Sequence, residues 1–318
     1  MPDARLGKGV ARTFAPVVTT PMRFLFLILC LAPAAPAIAQ HPKSASPAPV
    51  VPDSIRAEIG VTYGRTPEQE LKMDVYRPKA GGGRLPACVL VHGGGWVKGD
   101  KEKFTPLAVG LAKRGYVVAN VEYRLGPVSK YPAAVQDCNR AVRFVRAGAM
   151  RFGLDPGRIG AWGGSAGGHL VGMLAAAAGE KRFIVGEPEG VSAELGAAVV
   201  MAGPMDLNGA KMVENYRKQG EKSMVFQWIG SLYDDAPDIY REASPMTYLG
   251  KGTCPILFLT GSLDNPDRHT APMEKLKALG VPARQVVLKD GKHGCWMLPP
   301  WQEQCIEAVD TFFKEHLK

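Results

Sequence analysis

The sequence predicts an α/β domain built on a mostly parallel eight-stranded sheet flanked by helices. Three observations carry that expectation. Short apolar runs alternate with helical patterns from about residue 57 to the C-terminus, the order that strand–helix–strand units produce. The central runs are apolar throughout, as strands covered on both faces are. One of them leads into Gly163-Gly164-Ser165-Ala166-Gly167 and then into an alanine-rich stretch, a strand, sharp turn and helix with a serine at the apex. With 318 residues and no internal repeat, the chain is long enough for one domain with a full core.

Taken in order, the chain opens on a leader. Phe24-Leu25-Phe26-Leu27-Ile28-Leu29-Cys30-Leu31 is too short to span a bilayer, follows Arg23, and precedes the small-x-small site Ala37-Ile38-Ala39. Residues 1–39 are therefore expected to be a signal peptide cleaved after Ala39, which implies a periplasmic or secreted protein. Residues 40–56, rich in Pro, Ala and Ser, read as a flexible linker, and 57–318 as the folded domain.

Strands are expected at 57–63, 71–77, 87–92, 116–122, 158–162, 196–202, 255–260 and 284–289. Helical patterns cover 102–114, 132–148, 166–178, 268–280 and 301–316. Alternation in Leu71-Lys72-Met73-Asp74-Val75-Tyr76 suits an edge strand with one wet face. Residues 207–243 form the longest stretch without a strand. They could place two short helices over the site, a small lid, or form a connector around a buried Trp228.

Ser165 points to nucleophilic chemistry. A serine held in a strained turn needs neighbours almost without side chains, and Gly163 and Gly167 provide them. The amide of Ala166 then stands at a helix N-terminus, where negative charge is favoured. A serine hydroxyl also needs a base, and the base a carboxylate. His293 lies in Asp290-Gly291-Lys292-His293-Gly294, directly after an apolar strand, where catalytic groups gather in an open α/β sheet. His169 sits in the helix that Ser165 opens and reads as structural. His269 and His316 read as exposed. Asp264 is the first carboxylate beyond the strand Pro255–Thr260, with Asp267 as the fallback or a helix N-cap, and Asp290 as a turn residue. The loop His92-Gly93-Gly94-Gly95-Trp96 follows another apolar run, and its glycines allow backbone amides to face a substrate oxygen. No Gly-Lys-Ser/Thr follows, so a nucleotide site is not expected. His92 reads as an organiser of this loop.

These residues together resemble the α/β-hydrolase superfamily. Within it the chain is similar to carboxylesterases of the hormone-sensitive-lipase and feruloyl-esterase-like groups. The likeness rests on His92-Gly93-Gly94-Gly95-Trp96, Glu122-Tyr123-Arg124-Leu125, Tyr131-Pro132-Ala133-Ala134 through Asp137, Gly163 through Leu170, and the Asp264 and His293 turns. It implies Ser165 as nucleophile, Asp264 as acid and His293 as base. It places the oxyanion amides at Gly94, Gly95 and Ala166, with Gly93 the weaker candidate. The helical N-terminal cap of the lipase-like members has no counterpart, which suggests a small or absent lid. An aromatic run after His293 is similar to that of polysaccharide acetyl esterases.

The function expected is hydrolysis of a small acyl (acetyl) or feruloyl ester, a small molecule or one carried on a polysaccharide. Alternatives are an arylformamidase-like amide or peptide hydrolase and a non-catalytic binding domain. Trp96 and Trp296, with Trp301, could stack on substrate rings, or else serve as core or pocket wall. No cofactor, metal or membrane anchor is expected. The net charge of +9 is spread without a basic block, which argues against a nucleic-acid partner. Removing Cys30 with the leader leaves Cys88, Cys138, Cys254, Cys295 and Cys305, of which Cys295 and Cys305 could pair.

Overall fold

The run of apolar segments folds as one eight-stranded sheet. The computed structural model describes residues 50–80 and 83–318, together with Thr13 and Ala15; the rest of the expected leader and residues 40–49 of the expected linker lie outside the described residues. The strands are β1 (Ile55–Arg65), β2 (Glu70–Pro78), β3 (Leu85–Val91), β4 (Val117–Val121), β5 (Leu154–Gly164), β6 (Ala197–Met201), β7 (Ile256–Gly261) and β8 (Ala283–Leu288). Their spatial order is β1-β2-β4-β3-β5-β6-β7-β8. The β1–β2 and β2–β4 pairs are antiparallel, and all pairs from β4 through β8 are parallel. The first strand starts at Ile55, two residues ahead of the expected domain boundary.

Side-chain alternation along each central strand feeds two cores, one per face. Val89, Ala161, Val200 and Phe258 pack on one side, against residues of α2 (Ala133–Ala147), α4 (Ala166–Ala177) and α9 (Thr270–Ala278). Leu90, Trp162, Val199 and Leu257 pack on the other, against α1 (Thr105–Ala112) and α10 (Trp301–His316). A short α3 (Ala149–Phe152) leads into β5. Between β6 and β7 the chain forms α5 (Ala210–Gln219), α6 (Met224–Ile229), α7 (Pro237–Glu242) and α8 (Pro245–Tyr248). The stretch 207–243 thus holds three short α-helices and also buries Trp228 completely.

One strand differs from its sequence reading. β2 is not an edge strand; β1 covers it. The alternation misleads because Asp74 is buried. Its carboxylate pairs with the equally buried Lys101 ammonium at 3.2 Å and accepts from the Gly60 N–H at 2.8 Å. A buried charge is tolerated only with such partners.

Candidate active site

The parallel strands deliver the candidate residues to one rim of the sheet. β5 ends at Gly164, and Ser165 follows with φ +55° and ψ −121°, a conformation that a non-glycine residue holds only under constraint. The constraint is steric and local. A Cβ on Gly163 would collide with the Gly167 carbonyl, and one on Gly167 with the carbonyls of Val91 and His92. The G-x-S-x-G glycines are therefore places where backbone meets backbone.

β7 and β8 supply the partners. Asp264 follows β7 in a turn whose Gly261 lies against Gly291 of the next loop. His293 follows β8. The Ser165 hydroxyl donates to His293 Nε2 at 2.9 Å, and His293 Nδ1–H donates to Asp264 Oδ2 at 2.7 Å. Residues 128 and 29 positions apart thus form one hydrogen-bonded chain. The imidazole is half exposed, at 48%, whereas the carboxylate is 9% exposed.

Arg268 completes this side, and sequence reasoning missed it. Its guanidinium donates to Asp264 Oδ1 at 2.7 Å, to the Asp264 carbonyl at 2.9 Å and to the Ala202 carbonyl at 2.9 Å. The i,i+4 spacing of Asp264 and Arg268 was the available signal. Asp267 is exposed inside the 3₁₀ turn Pro266–His269, capped by Asn265, and takes no part in the chain of bonds. Asp290 is a left-handed turn residue whose N–H donates to Ser262 Oγ.

On the other side of Ser165, Gly94, Gly95 and Trp96 have φ of +128°, +62° and +63°. Three successive left-handed residues make the tight loop for which the glycines are needed at the first two positions. Among the described residues, the N–H groups of Gly94, Gly95 and Ala166 donate to no protein acceptor. Ala166 is the first residue of α4, where an amide has no intrahelical partner. His92 sits beneath the loop, stacked on Tyr123 at 4.4 Å. Its Nδ1–H donates to the Gly93 carbonyl at 2.7 Å, and burial pushes its pKa down to about 4. It is a neutral organiser of the loop, as expected from sequence.

Two tryptophans expected at the substrate are buried instead. Trp96 is 5% exposed, stacked on Trp228 and hydrogen-bonded to His169. Trp296 is 4% exposed and meets the His293 ring edge-on at 5.2 Å. Each indole is packed against protein rings, Trp96 on Trp228 and Trp296 against His293. Trp301 is partly buried and donates to the Lys289 carbonyl. Exposed apolar side chains near the site come from Leu263, beside Asp264, and from Met224 of α6. Met224 lies directly over the loop; a Cβ on Gly95 would strike its sulfur.

Three further readings change. His269 is buried, not exposed. It accepts from Thr260 Oγ1 at 3.1 Å and donates to the Gly203 carbonyl at 3.0 Å, because the 3₁₀ turn before α9 rotates it inward. His316 is packed on Phe312 at 4.5 Å and only partly exposed. Cys295 and Cys305, like the other three described cysteines, are buried free thiols.

A hydroxyl bonded to an imidazole, itself oriented by a carboxylate, and set beside unpartnered amides, is an arrangement suited to acyl transfer. Residues 73–272 match the BD-FAE family model. Esterase LipC of Mycobacterium tuberculosis is 31% identical over 207 residues, 64% of this chain and 50% of LipC, so the chain spans about half of that relative's length. Versiconal hemiacetal acetate esterase of Dothistroma septosporum is 28% identical over 253 residues, 74% of each chain. The structure of the Thermogutta terrifontis esterase Est2 with propionate bound superposes with a TM-score of 0.67 at 25% identity, over 83% of this chain and 94% of that one.

Proposed function

The chain belongs to the BD-FAE family and has the α/β-hydrolase fold, and from that premise we propose that it is an exported serine carboxylesterase. It releases a small acyl group, acetyl foremost, or a feruloyl group, from an alcohol such as a polysaccharide hydroxyl. The observation that carries this reading is the chain of bonds Ser165 Oγ–His293 Nε2 at 2.9 Å and His293 Nδ1–Asp264 Oδ2 at 2.7 Å.

Ser165 attacks the ester carbonyl while His293 takes its proton. Asp264 holds the imidazole in the tautomer that accepts at Nε2 and favours the imidazolium that forms. The amides of Gly94, Gly95 and Ala166 receive the developing oxyanion. His293 then protonates the leaving alcohol, and the Ser165–acyl bond is hydrolysed by water that His293 activates in turn.

Support for a small acyl group comes from three directions. Met224 narrows the space over Gly95. One relative is an acetate esterase by name, and the solved esterase that superposes holds propionate. Support for a bulky alcohol comes from the half-exposed His293 and from exposed Leu263, whose N–H donates to the Gly291 carbonyl in the loop that carries His293.

The test is hydrolysis of p-nitrophenyl acetate by the protein beginning at Gln40. Ser165→Ala is expected to lower kcat by about 10⁴-fold or more. Equal rates in the two proteins would reject the mechanism. N-terminal sequencing of protein recovered from the periplasm or medium is expected to begin at Gln40; retention in the cytoplasm with the leader intact would reject export.

A further inference from the structure

We infer that Trp96 and His169 are positioning residues: the hydrogen bond between them fixes the spacing of the two chain segments that supply the oxyanion donors, and the segment between β6 and β7 is the buttress of that bond rather than a lid. The inference rests on the esterase reading above and deepens it.

The proposed donors come from two separate places. Gly94 and Gly95 follow β3, and Ala166 opens α4. Such donors act only if they are aimed before charge develops, so the spacing between the segments matters. Two contacts set it. One is backbone on backbone: a Cβ on Gly93 would lie 2.8 Å from the Gly164 carbonyl oxygen and 3.2 Å from Ser165 Cβ. The other is the bond from Trp96 Nε1–H to His169 Nδ1, 3.1 Å long and buried. Trp96 adjoins Gly95 in the chain, and His169 lies one turn along α4 from Ala166.

Trp96 is held in a conformation that bulky residues rarely adopt, with φ +63°. Such a residue stays put only where its surroundings over-determine it. Here its indole N–H is bonded to His169, its ring is stacked on Trp228 at 4.9 Å and 13°, and its carbonyl accepts from the Gly126 N–H at 2.8 Å. His169 offers Nδ1 as an acceptor because its other nitrogen is committed: Nε2–H donates to the Ala243 carbonyl at 2.6 Å. Full burial pushes the His169 pKa down to about 4, so the ring remains neutral and its tautomer single.

Both outer supports belong to the segment between β6 and β7. Ala243 is the C-cap of α7, and Trp228 lies in α6. Trp228 is itself pinned, since its carbonyl accepts from the Tyr131 N–H at 2.9 Å and Gly126 closes on its backbone so tightly that a Cβ there would lie 2.7 Å from Trp228 Cα. The Trp228 indole N–H has no hydrogen-bond partner among the described residues, so what this residue contributes is its ring face. A swinging cover would have to break the stack and the Ala243 bond together.

The decisive variant is Trp96→Phe, which keeps an aromatic ring for the stack and removes the N–H. Expected with p-nitrophenyl acetate is a fall in kcat of about 10- to 100-fold per folded molecule, with KM within about twofold, beside a lowered melting temperature from the buried acceptor left unpaired. Affinity for a trifluoromethyl ketone, whose hemiketal oxygen requires the donors, is expected to weaken by the same factor as kcat/KM. His169→Asn, which keeps an acceptor near Nδ1, retains most of the rate; His169→Leu falls as far as Trp96→Phe, and the double variant falls no further. If His169→Leu does not fold, Trp96→Phe and the ketone decide alone. A Trp96→Phe enzyme with wild-type kcat and ketone affinity overturns the inference. So does a loss that follows only the fraction of folded protein. A wild-type protein that hydrolyses no ester overturns the esterase reading instead.

Discussion

On one side of Ser165, where the Gly94–Gly95 loop lies, every ring is buried and every imidazole neutral: His92 stacks on Tyr123, and Trp96 is locked between His169 and Trp228. On the other side, His293 is half exposed and meets one indole edge-on, and Leu263 beside Asp264 is exposed. The difference follows from what each side would do. Donors aimed at a developing charge must be rigid in advance, because reorganising them during the reaction costs the stabilisation they provide. A proton-transfer histidine needs only two good hydrogen bonds and an open path for alcohol and water. On the proposed mechanism, rigidity is concentrated where charge would be stabilised, and exposure where groups would enter and leave.

The strongest way to break this comparison is on the open side. His293→Ala is expected to cost about 10⁴-fold or more in kcat while leaving the melting temperature almost unchanged, because the ring contributes little to either core. A large drop in melting temperature would show that this side is also structural. An intermediate effect tests the rigid side. Met224→Ala clears the space over Gly95, and the ratio of kcat/KM for p-nitrophenyl hexanoate to that for the acetate is expected to rise about tenfold. An unchanged ratio would remove Met224 from acyl selection.

A separate test reads stability. His92, His169 and His269 are each held neutral by burial, with pKa values lowered from 6.5 to about 4. The unfolded chain takes up these protons near pH 6.5, and the folded chain only near pH 4. Stability is therefore complete above pH 6.5 and declines as pH falls from 6.5 towards 4. The urea midpoint should be lower at pH 5 than at pH 7; an equal or higher midpoint at pH 5 would contradict the burial of these rings.

Much of the site was legible from sequence, for a physical reason. Ser165, Asp264, His293 and the loop from His92 all stand just after an apolar strand, and a parallel sheet brings such positions to one rim. Each also carries a glycine that marks its turn. What could not be read depended on partners distant in the chain. Asp74 looked like a wet-face residue until Lys101 was seen beside it. Trp96 looked available to substrate because nothing local announces His169 or Trp228, 73 and 132 positions further on. His269 was misplaced by one short 3₁₀ turn. Arg268 was within reach of inspection, four residues beyond the acid it grips, but an i,i+4 pair alone does not distinguish a clamp from a solvated ion pair.

The glycine contacts around Ser165 carry a consequence for how such an enzyme diversifies. Gly93, Gly163, Gly167 and Gly203 are seams at which main chain abuts main chain, so they present no side chain to exchange. A new substrate preference cannot be written there without prying the strands apart. It has to be written at the periphery, at exposed positions such as Met224 at the start of α6 and Leu263 after β7. Libraries aimed at altered selectivity should therefore leave the seams untouched and spend their diversity on that rim.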